Sequence, residues 1–462
     1  MTGQSACEIF GGFIASDHNV LLSSDVAARV KQCVQDSIGC LLAAHATQIA
    51  PVLQQYLRAA GVGESSLVGS SLRVPVATAA YANALFINAL DYDDIYKKGH
   101  PGATTVAAAL AMGEMLDCTG AELIESLAVG YDVCGRIGSS LRHREPRKLV
   151  HGHGTWQTFG AAATTAKLLR LDRIRAAHAL AVAGVNAPVA SVMKSVYSAG
   201  GPTMSKNNFG AAAAVGVSSA MLAREGYQGP LDLLEGETGF WRMAGADEYD
   251  ADGLLEGLGD RYEILNVGFK PFSCCRLLQG SIEAVLAAAS RTGMRHPEEL
   301  ARILLHTAPI VSRFPFNCAR PRTMWDAQFS APFACAMALL RIPPGPAWFS
   351  GEWYEDRDVL SLMQKTVISP LPQQATDLLP SAAQMTARAT LVSRDGQSSC
   401  ADVSVARGEA SNPMSQEELD VKFLRLAGHR LRADAARTVL ARIHRLEHES
   451  SIRALLRAFA GD

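Results

Sequence analysis

The run VATAAYANALFINALDYDDIYKKGHPGATTVAAALAMGEMLDC, residues 76–118, decides how the whole chain is read. Its two flanks are helical runs dense in alanine, one ending near Leu90 and the other beginning near Ala103. Small residues at this density let helices approach closely. Between them, Asp91 to Gly102 places three carboxylates, two ammonium groups and one imidazole in twelve residues. Such a group on a turn between helices suits proton transfer on an anionic substrate, because each member tunes its neighbour's pKa. It equally suits a solvated connection in which Asp93 or Asp94 only caps the next helix.

Working outward, the alanine-rich pattern repeats. VAARVKQCVQDSIGCLLAAH (26–45) has helical spacing, QIAPVLQQYLRAAG (48–61) ends at a glycine, and further helices are expected within 122–141, 158–171, 173–186 and 211–226. The character changes after Leu265. ARILLHTAPIVSRF (301–314) predicts a strand, WDAQFSAPFACAMALLRI (325–342) a helix, and Asp395-Gly396 the turn of a β-hairpin. The final segment, 416–460, returns to helix. The expected fold is mainly α: a large all-helical domain from both chain ends (1–269 and 408–462) and a smaller, lid-like α+β domain (270–407).

With 462 residues, 48% hydrophobic and 19% charged, the chain has ample material for globular cores. A net charge of -2 and the lack of a basic stripe exclude a nucleic-acid binder. The first twenty residues do not read as a secretory signal and no stretch is apolar for long enough to span a bilayer, so a cytoplasmic protein is expected. The ten cysteines, irregularly spaced, read as buried free thiols. Nucleotide-binding glycine motifs and the Gly-x-Ser-x-Gly elbow are missing.

Four other places concentrate reactive groups. His151 and His153 flank a glycine ahead of a helix, an arrangement suited to an anion or to half of a metal site. Lys206 stands with two asparagines before an alanine-rich helix, where its charge opposes the helix dipole. Lys270 and Arg276 fall at the expected domain junction. Arg320 and Arg322 precede the helix that carries Gln328.

The runs NALFINALDYDD…GHPGA, GYDVCGRIG, TFGAAATTAKLL, MSKNNFGAAAA, KPFSCCRLLQGSIEA, AQFSAPFACAMALL and NPMSQEELDVKF resemble the MmgE/PrpD family over nearly the whole chain. That family includes 2-methylcitrate dehydratase, cis-aconitate decarboxylase and iminodisuccinate epimerase. The resemblance implies a homodimer, no metal or organic cofactor, and a small polycarboxylate substrate. Carried over, the family's functional residues fall on Asp91, His100, His151 or His153, Lys206 and Lys270, with Asp94, Lys98, Arg276, Arg320 and Gln328 expected to bind substrate. Two positions depart from the family's pattern. Ile95 stands where dehydratases and decarboxylases resemble each other in having threonine, and Phe333 where the decarboxylase would have tyrosine. Both remove a hydroxyl, which implies a different substrate or leaving group, and Lys97 and Lys98 are extra cations nearby.

The function expected is proton abstraction beside a carboxylate without a cofactor, with a hydro-lyase first, an epimerase second and a decarboxylase third. A non-catalytic polycarboxylate-binding protein and a metal-dependent lyase using His151 and His153 are the alternatives from other classes.

Overall fold

The computed structural model describes residues 3–18, 23–97, 99–142, 152–189, 191–371 and 385–460. The helical lobe contains α1 (Ala6–Ala15), α2 (Ser24–Ala44), α3 (Ile49–Ala59), α4 (Val76–Ile87), α5 (Pro101–Leu116), α6 (Gly120–Ser140), α7 (His153–Leu168) and α8 (Arg173–Val185). It continues with the single turn α9 (Val192–Ser195), the long α10 (Phe209–Arg224), and two short helices, α11 (Phe240–Met243) and α12 (Ala251–Leu255). Two short ribbons, β1 (Ser65–Ser66) with β2 (Arg73–Val74) and β3 (Leu141–Arg142) with β4 (Glu248–Tyr249), punctuate it.

Local chemistry sets the helix starts. Ser5 with Glu8 and Thr119 with Glu122 form capping boxes on α1 and α6, in which hydroxyl and carboxylate satisfy backbone N–H groups that have no partner inside the helix. Small residues then set the packing. A Cβ on Gly130 of α6 would stand 1.9 Å from Thr164 Oγ1 and 2.9 Å from the Gly160 carbonyl of α7, so only hydrogen fits at that crossing.

The smaller lobe contains α13 (Gln279–Thr292), β5 (Leu300–Thr307), α14 (Met324–Phe329), α15 (Ala331–Leu339), α16 (Arg357–Lys365), β6 (Thr366–Pro370), β7 (Ala387–Ser393) and β8 (Ser398–Val403). Its four-stranded sheet runs β6-β5-β7-β8, with β5 and β6 parallel and the other neighbours antiparallel. Strands β7 and β8 are the hairpin expected at Asp395-Gly396, where Gly396 takes φ +86°. Along β7, Ala387, Ala389 and Leu391 are buried. That alternation lets one face of the sheet bury against α13.

Two expectations need correction. The segment 325–342 is two helices, because Ser330 adopts extended backbone (φ −84°, ψ 109°), caps α15 through Phe333 N–H, and is followed by Pro332 in the first turn. The strand within 301–314 stops at Thr307, and Pro309–Ser312 is a tight helical turn.

The chain closes with α17 (Gln416–Ala427), α18 (Ala433–His444) and α19 (Ile452–Arg457). Leu419, Phe423, Val439, Ile452, Leu455 and Phe459 bury in the same apolar core as α1 to α8, so both chain ends build the helical lobe. A second core gathers Cys274 to Ala406 and draws in Cys40, Leu90, Tyr92 and Leu426 from the first lobe. Leu90 and Tyr92 therefore anchor the loop after α4 into the second core, which holds Asp91 at the seam between the two. Cys7, Cys33, Cys40, Cys118, Cys134, Cys274 and Cys335 are buried thiols. Among the described residues, no helix is long and apolar enough to cross a membrane.

Candidate active site

The loop from Asn88 to His100 is held by its own main chain. Tyr96 and Gly99 exchange N–H···O bonds (3.0 and 2.7 Å), and Ile95 does the same with Gly268 (2.9 and 2.8 Å). The second exchange clips the loop to the strand-like segment that delivers Lys270 two residues later. Asp91 takes a left-handed conformation, φ +49°, uncommon for a residue with a side chain. Its carboxylate is thereby met from two sides. Lys270 Nζ donates to one oxygen and to the Asp91 carbonyl (2.6 Å), and Lys206 Nζ lies 3.2 Å from the other oxygen. Lys206 also donates to Gln328 Oε1 (2.6 Å), whose amide donates to the Ala89 carbonyl (2.7 Å). All four groups are buried, and Lys270 has no exposed surface.

His100 closes the group. Its Nδ1 lies 2.8 Å from the carbonyl oxygen of Asp94, which can only accept, so the proton sits on Nδ1 and Nε2 carries a lone pair. Nε2 lies 3.9 Å from Asp91 Oδ1. The rings of His153 and Phe209 pack edge-on to it, with centroids 6.2 and 5.8 Å away.

Burial dominates the electrostatics and the partners decide the outcome. Burial alone would raise the pKa of Asp91, but the ammonium groups of Lys206 and Lys270 hold it well below the carboxylate range. Burial and the charge of Lys270 push His100 down to about 3, so the imidazole is neutral at physiological pH. Burial lowers Lys206 despite Asp91, whereas Asp91 and Asp93 together raise Lys270 against burial. Two ammonium groups thus face one firmly ionised carboxylate, leaving a positive surplus suited to an anion.

Beside Lys206 lies a cavity of about 380 Å³. Gly152, His153, Ser191, Lys194, Ser195, Thr203, Ser205, Asn207 and Asn208 share its wall, and no described lining residue is acidic. Asn207 ties the wall to the loop through Asn88 (2.9 Å), and Asn208 accepts from the N–H of Gly154 at the start of α7 (3.1 Å). A cleft of about 320 Å³ between α1, α6 and α7 includes none of these groups, and its Lys167 is already paired with Glu125 (2.9 Å).

Among the described residues, Asp91, Asp93 and His100 form the one group that could hold a metal ion, with ligand atoms within 4.8 Å of one another. Both Asp91 oxygens already meet ammonium groups, which supply the positive charge a metal would bring.

The structure brings together Asp91, His100, Lys206, Lys270 and Gln328, and places His153 on the cavity wall beside His100. Asp94 has another job than the substrate contact expected of it. Its oxygens accept from Gly102 N–H (3.0 and 3.1 Å) and from the Tyr131 hydroxyl (2.8 Å), so it secures the start of α5. Arg276 is likewise committed, through Nε to Glu409 (2.9 Å) and to the Lys97 carbonyl. Arg320 is exposed on the loop ahead of α14. His151 and Lys98 lie outside the described residues.

Sequence reasoning passed over Asn88 and Lys422, and did not single out Asp93 within the acidic run. Asn88 donates to Asp93 Oδ1 (2.8 Å), and Asp93 lies 3.7 Å from His100 Nδ1. Lys422 donates to the carbonyls of Tyr92 (2.7 Å) and Lys270 (3.0 Å) and pairs with Asp36 (2.6 Å). It bridges the two segments that present Asp91 and Lys270. The signal for it was available: Lys422 falls on the same helical face as Leu419, Phe423 and Leu426, where an apolar residue is expected.

Fold and site together define a two-core, mainly helical protein with a buried acid–lysine–imidazole group beside an anion-suited cavity. The chain matches the MmgE/PrpD N-terminal domain over residues 9–251 and the MmgE/PrpD C-terminal domain over residues 272–448, and it belongs to the MmgE/PrpD family. It is similar to cis-aconitate decarboxylase of Mus musculus, 25% identical over 99% of this chain and 94% of that protein. The Homo sapiens cis-aconitate decarboxylase is 25% identical over 92% of this chain and 88% of its own length. That of Aspergillus terreus is 27% identical over 61% of this chain and 59% of its own.

Proposed function

We propose that the protein is a lyase that acts, without an organic cofactor, at a carbon beside a carboxylate of a small di- or tricarboxylic acid. The observation that carries this is the pairing of an unprotonated Nε2 on the half-buried His100 with two ammonium groups that share one carboxylate. Lys206 and Lys270 attract the substrate carboxylate and stabilise the enolate charge that develops when the neighbouring carbon loses a proton or carbon dioxide. His100 Nε2 takes the proton, its lone pair kept available by the hydrogen bond at Nδ1. Asp91 keeps the two lysines charged and within reach. His153 on the cavity wall is a second imidazole source for the opposite face of the substrate.

Two outcomes each have support. Loss of water fits Phe333, which lacks the hydroxyl of the decarboxylase pattern and packs in the second core against Tyr354 at 5.9 Å, whereas the buried Ile95 departs from the dehydratase pattern as well. Loss of carbon dioxide fits the named relatives. Incubation with 2-methylcitrate, citrate and cis-aconitate in deuterated water, followed by NMR, tests both. A new alkene signals dehydration, and carbon dioxide with deuterium at the vacated carbon signals decarboxylation. Exchange without net loss signals epimerisation. No turnover and no exchange with any acid sinks the lyase and leaves a polycarboxylate binder. The homodimer expected from kinship is checked by light scattering.

A further inference from the structure

Asp91 and Asp93 are both buried, yet they are provided for differently. Each oxygen of Asp91 meets an ammonium group. Asp93 receives one hydrogen bond, from the Asn88 amide to Oδ1 (2.8 Å), and its Oδ2 is buried with no hydrogen-bond partner among the described residues. An ionised carboxylate out of water needs donors on both oxygens, since an uncompensated buried charge is strongly unfavourable. A carboxylic acid does not. Its hydroxyl oxygen carries its own proton and lacks only an acceptor.

His100 stands on the third side, its Nδ1 3.7 Å from Asp93 Oδ1 and its Nε2 3.9 Å from Asp91 Oδ1. A base that lacks a proton and a carboxyl that holds one therefore share a single buried corner. Environments that drive neighbouring titratable groups apart in this way mark acid and base assignments.

We infer that Asp93 is the acid of this site, holding a proton on Oδ2 and delivering it to the bound polycarboxylate, a role that rests on the lyase reading above. The surroundings agree: burial pushes Asp93 up to about 7, with Asp91 adding to the rise and Lys270 opposing it. In loss of water, His100 Nε2 takes the proton from carbon, and the C–H electron pair becomes the new double bond. The C–O pair leaves with the hydroxyl, which takes the Asp93 proton and departs as water. Transfer of one proton from the imidazolium to the Asp93 carboxylate then restores both groups. In loss of carbon dioxide, the C–C pair stays on carbon, that carbon takes the Asp93 proton, and solvent water reprotonates Asp93.

The test is Asp93→Asn, which keeps the shape and has no proton to give. Turnover is expected to fall about 100-fold or more, the usual worth of a positioned acid, with calorimetric affinity for tricarballylate little changed. Asp93→Glu recovers part of the loss. In the resting wild-type protein, a carboxylic-acid C=O infrared band is expected to fade as pH rises from about 5 to about 9, and to be smaller in Asp93→Asn, where the raised carboxyl of Asp132 still contributes. An Asn variant with undiminished turnover overturns the inference. So does a wild-type spectrum without that band, a measurement that stands even if the variant does not fold. A wild-type protein that turns over no acid strikes the lyase reading instead, and the infrared result still reports where the proton sits.

Discussion

Lys270 Nζ donates to both the carbonyl and the carboxylate of Asp91, a residue 179 positions earlier in the chain. The contact spans the two cores and uses a lysine with no exposed surface, so neither charge has solvent to fall back on. Replacing Lys270 with Met leaves Asp91 paired only with Lys206. A destabilisation of about 3–5 kcal/mol is expected, as for any buried pair deprived of one member, together with loss of turnover. Urea unfolding of Lys270→Met measures it, and a stability unchanged from wild type would show that the pair is not buried as described.

Lys422 and Asp36 make the corresponding prediction one layer further out. Lys422→Met strands Asp36 without its partner at 2.6 Å and should cost about 3–5 kcal/mol. Asp36→Asn combined with Lys422→Met removes both charges and should recover much of that loss. A double-mutant cycle in urea reads the coupling, and strictly additive effects would contradict it.

Among the groups that make stability depend on pH, His100 and Asp93 act with opposite sign. For His100, the folded protein binds a proton only near pH 3, whereas the unfolded chain binds one near its ordinary value of 6.5. Its contribution is therefore complete above about 6.5 and lost as pH falls toward 3. For Asp93, the folded protein keeps its proton to about 7 and the unfolded chain releases it near 3.8, so this contribution is complete below about 3.8 and lost as pH rises through 7. Asp93→Asn removes the second effect. The Tm of the variant relative to wild type should climb between those two values, and a constant offset across the range would refute the assignment.

Chelation should leave activity within about twofold, because ammonium groups on both oxygens of Asp91 supply the local positive charge. Loss of turnover after chelation, restored by a divalent ion, would instead make Asp91, Asp93 and His100 a metal site.

At the crossing of α6 and α7, Gly130→Ala puts a methyl group 2.9 Å from the Gly160 carbonyl, a backbone atom that cannot rotate away. A loss of about 1–3 kcal/mol is expected from such overpacking, measured by thermal unfolding.

The helices were legible because their causes are local. Alanine-rich periodic runs and the Asp395-Gly396 turn each act within a few residues. Edge strand β6 was not legible, since it is defined by pairing with β5 more than fifty residues earlier. At the site, kinship supplied Asp91, His100, Lys206 and Lys270, but not the division of labour between adjacent aspartates. Sequence reasoning gave Asp94 to the substrate and assigned Asp93 no separate role within the acidic run, whereas the backbone turns Asp94 toward Gly102 and Tyr131 and Asp93 toward Asn88 and His100.

By itself, then, the sequence determined most of the long helices of the first lobe, the return of the C-terminal helices to it, and which reactive residues were on hand. Only the tertiary structure decided which charges meet. Arg276 and Lys270 both read as cations near one junction, and burial against Glu409 spent one while burial against Asp91 committed the other to the site. The reason is physical: helix formation is governed by neighbours along the chain, but a side chain's charge state and role depend on the desolvation and partners it finds in space.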